Sequence, residues 1–320
     1  MNFKVIISGR LTFKNERSIQ KAMEVYAHKC EVLYKYFLLF KTEDIFDEAS
    51  LSLSIPRFVK EGVELKLWNN TMHLLQEMAD FAMAGSIGGW RINNGELLEH
   101  LMLEPSSDKG PIHAFLEGKK VIAADGNLEE AAKHFTKAIQ KFDRHDTAYE
   151  RRAYVHFLTN NHEQAITDYT QSIAINDRNA EAYFGRAIVY ITQGNHKMAI
   201  EDLINAIQYS IALQALHWRA RRLKGRCHLQ LGEYEKASTE FNFFTSRRFK
   251  EDDPNIQSLK DAYFDFGKAL LKVGKASKAL EVINKAARLK DGVGTYSSEE
   301  WKKYHQIASN AVEKGQTLSA

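Results

Sequence analysis

The amino-acid sequence predicts a small α+β domain followed by an all-α solenoid of helical hairpins, so that the chain is mostly helical. Residues 1–105 alternate between strand-like and helix-like hydrophobic spacing, whereas residues 112–208 repeat themselves with a period of 34 residues. Between the two regions, residues 106–111 are the predicted linker, because two of the four prolines, Pro105 and Pro111, fall within seven residues there. The solenoid is predicted to extend to residue 315.

The first 105 residues are predicted to follow the order β-α-β-α-β-β. Alternating Phe3, Val5 and Ile7 indicate a first strand, with Gly9 as a bulge or turn. Asn15 can cap a helix that runs from residue 16 to about residue 40. The residues expected on its inner face are Ile19, Met23, Tyr26, Cys30, Leu33 and Phe37.

The remaining elements of this domain are predicted from the same two periodicities. Residues 50–58 alternate as a second strand that ends at Pro56 or soon after. Residues 63–84 have helical spacing, and Asn94-Gly95 is a strong hairpin signal between two further strands. This order predicts two helices on one face of a mainly antiparallel sheet. The order of the strands in that sheet cannot be deduced.

The repeat appears as columns of similar residues spaced by 34. The columns are Phe115, Tyr149, Tyr183; Gly126, Asn160, Gly194; Ala131, Ala165, Ala199; Phe135, Tyr169, Leu203; and Ala138, Ser172, Ala206. Each unit has two amphipathic segments separated by a turn, which predicts a helical hairpin. One hairpin cannot bury its apolar face alone, so neighbouring hairpins must stack.

These columns resemble the tetratricopeptide repeat (TPR) family over about residues 112–290. That family places an aromatic early in its unit, a Gly or Asn at the turn, and a small-residue helix afterwards. The resemblance implies about five helix pairs in a right-handed superhelix, with an inserted loop at residues 246–254. A capping helix is expected over residues 298–313, with Trp301, Tyr304 and Ile307 facing inward. The chain departs from the family at Arg152 and Arg186, which occupy the usual leucine position.

The resemblance also implies a non-catalytic scaffold that binds a peptide or protein segment in the concave groove of the solenoid. Arg219, Arg222 and Arg226 share one helix face and suit carboxylates, so we expect an acidic partner. Pairing with neighbouring acids is the alternative role for these arginines. The further groove candidates are Arg151, Tyr154, Glu150, Phe184 and Lys120, with Phe264 and Lys268 at the groove's end.

Two other functions stay open at this stage. Residues 217–250 contain nine basic and three acidic residues beside Trp218, so they could bind nucleic acid, although no nucleic-acid motif supports this. Residues 1–105 could contain an uncharacterised enzyme or a small-ligand sensor. Because no catalytic or metal-ligand spacing is recognisable, we expect no catalytic residue, metal or cofactor, and the histidines are expected at the surface or in the groove.

Composition places the chain among ordinary globular proteins. Its net charge is +3, with 44% hydrophobic residues, and no apolar run has the length of a membrane span. The two cysteines, Cys30 and Cys227, are far apart and are expected to be buried and reduced. Gly9 and Arg10 interrupt the first apolar stretch too early for a signal peptide, so we expect a cytoplasmic adaptor, no membrane partner, and room for homo-oligomers.

Overall fold

The computed structural model describes residues 2–124, 126–289 and 296–317. The chain divides into two compact units, residues 1–177 and residues 178–320. The strands are β1 Asn2–Thr12, β2 Phe46–Asp47, β3 Ser52–Glu64, β4 Ala84–Asn93 and β5 Glu96–Leu103. The helices of the first unit are α1 Glu16–Val32, α2 Thr42–Ile45, α3 Leu65–Phe81, α4 Gly110–Ala123, α5 Leu128–Lys141, α6 Asp146–Leu158 and α7 His162–Ile175.

The second unit contains helices and no strand within its described residues. These helices are α8 Ala180–Thr192, α9 His196–Tyr209, α10 Ala215–Gln230, α11 Tyr234–Thr245, α12 Leu259–Lys272, α13 Ala276–Arg288 and α14 Ser298–Thr317. The predicted fold class, an α+β region followed by helical hairpins, is confirmed. Whether residues 1–105 fold as a separate domain stays a prediction, since the first compact unit also includes the hairpins of α4 to α7.

A five-stranded antiparallel sheet opens the chain, in the order β2-β3-β1-β4-β5. Helices α1 and α3 pack on it around buried residues such as Ile7, Tyr26 and Trp68. Gly9 forms the predicted bulge at φ +154°, where a Cβ atom would lie 2.2 Å from a carbonyl oxygen of β4. The predicted hairpin turn is also confirmed, because Asn94 and Gly95 join β4 to β5 with positive φ.

Several predicted boundaries in this region were wrong. Helix α1 ends at Val32 rather than near residue 40, because Lys35 and Tyr36 adopt left-handed backbone angles that a helix excludes. Leu33 is consequently 60% exposed instead of facing the core. The second predicted strand begins two residues later and continues through Pro56 to residue 64. Pro56 is tolerated because it lies beside the bulge of β1 and beyond the end of the short edge strand β2.

Three smaller differences concern helices. The second predicted helix is shorter at both ends, since α3 covers Leu65–Phe81 and the residues after it join β4. The short elements α2 and β2 had no recognisable sequence signal. In the C-terminal helix α14, Trp301 and Tyr304 pack inward as predicted, but Ile307 is 43% exposed and Ala308 is buried in its place.

The helices after the sheet pack as consecutive pairs, α4 with α5, α6 with α7, α8 with α9, α10 with α11, and α12 with α13. The turns within four of these pairs contain one residue with positive φ, namely Asn160, Gly194, Gly232 and Gly274. Glycine and asparagine adopt this conformation at low cost, which explains the glycine and asparagine column in the sequence. The predicted inserted loop lies between α11 and a 3-10 helix at Pro254–Ser258.

An ion pair joins the two helices in three of these hairpins. Arg152 donates two hydrogen bonds to Asp168, at 2.7 and 2.8 Å. The residues 34 positions later, Arg186 and Asp202, repeat the arrangement, with both bonds at 2.8 Å. In the hairpin of α10 and α11 the equivalent pair is Lys224 and Glu240, at 2.7 Å. The departure from the TPR pattern at Arg152 and Arg186 is therefore compensated by an acid on the second helix.

The hairpin of α12 and α13 replaces this ion pair with two apolar residues. Phe266 and Val282 occupy the corresponding positions and belong to one buried cluster. Ionic and apolar pairs thus serve the same position in one chain.

The first hairpins also contact the end of the sheet within the first unit. Arg144 donates hydrogen bonds to the carbonyl oxygens of Phe13, at 2.7 Å, and Ser50, at 3.2 Å. Beside this contact, His145 caps α6 by accepting from the amide of Ala148 at 3.3 Å. His145 is 1% exposed and its Nε2 atom has no hydrogen-bond partner among the described residues. The expectation of surface or groove histidines was wrong here, since burial lowers the pKa of His145 to about 3.

The ion pair of α8 and α9 can be tested by copying the apolar pair of α12 and α13. Asp202→Val alone should destabilise the protein by about 3 kcal/mol, because the partly buried Arg186 would lose its ion pair with Asp202. The double variant Arg186→Phe/Asp202→Val should recover most of that loss, since it reproduces Phe266 and Val282. Urea denaturation of the three proteins measures both effects. If Asp202→Val cost nothing, the ion pair would have no structural role.

Burial of His145 predicts a loss of stability in mild acid. Its pKa falls from an ordinary value of about 6.5 in the unfolded chain to about 3 in the fold. The fold therefore favours the neutral ring, and stability should decline as the pH falls below about 6.5. His145→Asn keeps the helix cap but cannot be protonated. Relative to this variant, the wild type should lose roughly 2 kcal/mol between pH 6.5 and pH 5.

Asp146 provides the internal control for this experiment. It is also buried, and burial raises its pKa, which opposes the effect of His145. Both proteins retain Asp146, so the difference between their pH profiles reports His145. Parallel profiles from chemical denaturation would contradict the assignment.

Candidate functional site

The predicted arginine stripe lies on α10, and the three arginines differ in their environments. Arg219 is exposed, and its guanidinium carbon lies 4.9 Å from the ring centre of Phe184 on α8. Arg226 is paired with α12, where its Nε atom donates to Asp265 at 2.8 Å and an Nη atom reaches Asp261 at 3.4 Å. The alternative role, pairing with nearby acids, is therefore confirmed for Arg226.

Arg222 lies between these two arginines in the sequence of α10 and is mostly shielded from solvent. Its Nε atom is buried without a hydrogen-bond partner, and no described carboxylate lies within ion-pair distance of it. Burial, followed by repulsion from Arg226, lowers the pKa of Arg222 to about 10, against the attraction of Asp265 and Asp261. Arg222 is still charged at neutral pH, and the charge is incompletely compensated.

Lys268 on α12 lies among aromatic rings. Its Nζ atom is 5.9 Å from the ring centre of Phe264, 4.8 Å from that of Tyr296 and 5.2 Å from that of Tyr304. The negative faces of the rings stabilise a cation, although no carboxylate in the described part of the chain forms an ion pair with Lys268. Tyr296 is itself fixed by donating its hydroxyl hydrogen bond to Asp265.

Arg219, Arg222 and Lys268 together are named the cation row. All three residues belong to the second unit, and none has an acidic partner among the described residues. The two acids of α12 already have partners. Asp261 and Asp265 both accept from Arg226, and Asp265 also accepts from Tyr296. Arg219 and Lys268 thus lie beside aromatic rings, and Arg222 has no ion-pair partner in the described part of the chain.

The other predicted groove residues belong to the first unit. Arg151 lies 3.1 Å from the carboxylate of Glu150, which is 6% exposed. Tyr154 is 37% exposed on α6. Lys120 pairs with Glu117 at 2.6 Å on the surface of α4. A role for these four residues in partner binding stays a prediction.

Sequence reasoning missed three residues that shape the cation row. Asp261 and Asp265 lie one helical turn apart on α12, but they follow Arg226 by 35 and 39 residues, so their spacing did not identify Arg226 as their partner. Tyr296 follows the last hairpin in a segment without periodicity, so no sequence signal placed its hydroxyl against Asp265.

The basic cluster at residues 217–250 is partly neutralised in the structure. Arg221 and Lys224 both contact Glu240, at 3.0 and 2.7 Å, on the side of α10 that faces its hairpin partner. Lys236 pairs with Glu233, and Arg226 pairs with the two aspartates of α12. Four of the nine basic residues are thus paired with acids, which leaves a weaker attraction for nucleic acid than the composition implies.

Metal, thiol and membrane chemistry find little support in the described residues. No group of three or more histidine, cysteine or acidic side chains among them is arranged to hold a metal ion. Cys30 and Cys227 are free and buried, as predicted, and burial raises the pKa of both thiols to about 11, so they are poor nucleophiles. No described helix combines the length and apolar character needed to cross a membrane.

Comparison with known proteins identifies the repeats. A family model described as "TPR repeat" matches residues 153–194, and one described as "Tetratricopeptide repeat" matches residues 187–242. No curated protein sequence matches the chain.

Similar solved structures include YrrB, described as a TPR protein with an unusual peptide-binding site, at 20% identity and a TM-score of 0.46 over 63% of this chain and 92% of that one. PilF of Pseudomonas aeruginosa has 18% identity and a TM-score of 0.49 over 66% and 91%. MamA from Desulfovibrio magneticus RS-1 has 15% identity and a TM-score of 0.47 over 57% and 96%. Since these TM-scores are below 0.5, the assignment depends on the family models and on the hairpins. Residues 153–242 of this chain therefore contain tetratricopeptide repeats.

Proposed function

We propose that this protein is a non-catalytic scaffold whose cation row binds an acidic peptide or protein segment. Solenoids of helical repeats present extended concave surfaces to their partners. The observation that carries the proposal is Arg222, a largely shielded guanidinium without an anionic partner among the described residues. A shielded charge of this kind costs free energy in the unbound protein, and a carboxylate from a partner would compensate it.

The neighbours of Arg222 determine which anions fit. A guanidinium presents several N–H donors in one plane, which matches the two oxygens of a carboxylate. Arg226 cannot bind a partner's carboxylate in this way, because its guanidinium is already paired with Asp265 and Asp261. Asp261 and Asp265 are buried and already paired, so a partner's acids would meet Arg219, Arg222 and Lys268 rather than Arg226.

Aromatic rings hold two of the cations in place. Phe184 supports Arg219, while Phe264 and Tyr296 support Lys268. Because Phe184 and Phe264 are themselves buried, they restrict the motion of the two cations and so reduce the entropy lost on binding an anion.

A random peptide library displayed on phage can test which chemistry the cation row recognises, because it samples acidic, basic and apolar segments together. Selection on the wild type should enrich Asp and Glu, and selection on Arg222→Met should lose that enrichment. If the peptides selected on the wild type carried no excess of acidic residues, the acidic-segment proposal would be wrong.

Arg222→Met should separate stability from binding. Methionine keeps much of the side-chain volume while removing the uncompensated charge, so the melting temperature should stay the same or rise. Loss of a charge-assisted hydrogen bond of about 1.5–3 kcal/mol should weaken binding of a selected acidic peptide by roughly 10- to 100-fold. Isothermal titration calorimetry and thermal melts measure the two quantities.

Arg221→Met is the matched control on the same helix. Arg221 pairs with Glu240, so its removal should lower stability while leaving peptide affinity unchanged. Equal affinities for wild type and Arg222→Met would remove Arg222 from the binding site. A loss of affinity in Arg221→Met as well would indicate a general effect of helix α10 rather than a specific contact.

A further inference from the structure

An exposed apolar turn follows helix α1 in the first unit. Four large hydrophobic residues within six positions are accessible to solvent, and we name residues 32–37 the apolar turn. Val32 and Leu33 are each 60% exposed, Tyr36 is 70% exposed and Phe37 is 36% exposed. Exposed apolar residues clustered in one turn are candidates for an interaction site, because a partner that covers them removes apolar area from water.

The backbone holds the apolar turn in a costly conformation. Lys35 and Tyr36 have φ angles of 48° and 61°, which bulky side chains rarely adopt. The amide of Tyr36 donates to the carbonyl oxygen of Cys30 at 2.8 Å, and Asn70 on α3 donates to the carbonyl oxygen of Phe37 at 3.2 Å. Strain that is maintained by specific hydrogen bonds, and that exposes a tyrosine, points to a functional surface.

The charges around the apolar turn are balanced in sign. Glu31 precedes the turn and Lys35 lies within it, while Glu64 is the N-cap residue of α3 and Lys66 lies in the first turn of that helix. Lys66 is placed next to the turn, since its Nζ atom is 6.0 Å from the ring centre of Phe37. Among the described residues, none of these four charges takes part in an ion pair.

We propose that the apolar turn is a homodimer interface, occupied by a second copy of this chain. A two-fold axis brings one patch against an identical patch, so any contact between two different residues occurs twice. A rim with two acids and two bases can then pair each lysine with a glutamate of the other protomer. An anionic membrane or a strongly charged partner would instead meet two like charges.

This proposal does not depend on the acidic-segment function. The cation row belongs to the second unit, whereas the apolar turn belongs to the first. Arg222→Met should therefore dimerise like the wild type, and variants of the apolar turn should retain the affinity of each protomer for a selected acidic peptide. If one of the two proposals fails, the other can still be tested.

Analytical ultracentrifugation of Leu33→Asp/Tyr36→Asp tests the interface directly. Both side chains are exposed, and aspartate accepts the left-handed backbone of position 36 better than tyrosine does. The wild type should sediment as a concentration-dependent dimer and the double variant as a monomer with an unchanged melt. Ile204→Asp is the control, because Ile204 is 46% exposed on α9, and this variant should dimerise normally.

A charge exchange tests whether the partner is a second copy. Lys35→Glu/Lys66→Glu makes the rim acidic, and Glu31→Lys/Glu64→Lys makes it basic. Each variant alone should dimerise more weakly than the wild type, and a mixture of the two should form heterodimers. The Lys66→Glu change adds an acid to the first turn of α3, where the helix dipole favours it.

Two results would overturn the proposal. A wild type that remains monomeric at every concentration would show that the apolar turn does not join two copies. Binding of that monomer to phosphatidylserine vesicles, lost in Leu33→Asp/Tyr36→Asp, would assign the turn to a membrane surface instead. A dimer that survives the double aspartate substitution would place the interface elsewhere on the chain.

Discussion

The structure of the hairpins depends on one constraint, which is that a cation shielded from water needs an anion. Helices α6 and α8 each carry an arginine at the place where the family usually has an apolar residue, and each meets an aspartate on the second helix of its own hairpin. Lys224 and Glu240 solve the same problem in the next hairpin. Because the acid comes from the paired helix, the ion pair also fixes the two helices against each other.

Arg222 is the exception to this constraint, because its buried Nε atom has no hydrogen-bond partner among the described residues. On one side of α10, Arg221 and Lys224 share Glu240, and on the other side Arg226 takes both acids of α12. The same helix thus satisfies its other shielded cations while leaving Arg222 without a partner among the described residues. We propose that an external anion compensates this charge, since functional sites commonly depart from the rules that the scaffold obeys.

The limits of sequence reasoning follow from the same physics. Periodicity located the hairpins well, because their small and aromatic columns are set by local helix packing. It could not show which arginine of the stripe would be free, since Asp261 and Asp265 are far from Arg226 in the sequence. In the sheet region, alternation found the strands, but the end of α1 depends on a left-handed turn at Lys35 and Tyr36. Neither residue type favours that conformation, so no local signal existed.

The two proposed surfaces have a joint consequence for affinity. A single cation row with one shielded arginine and few neighbours would hold an acidic segment only moderately, because each charge-assisted bond contributes about 1.5–3 kcal/mol. A dimer formed through the apolar turn would carry two cation rows, and a partner with two acidic segments would then bind the second row as an intramolecular event. Avidity would raise the affinity without new contacts, so dimerisation would favour partners with repeated acidic segments over those with a single one.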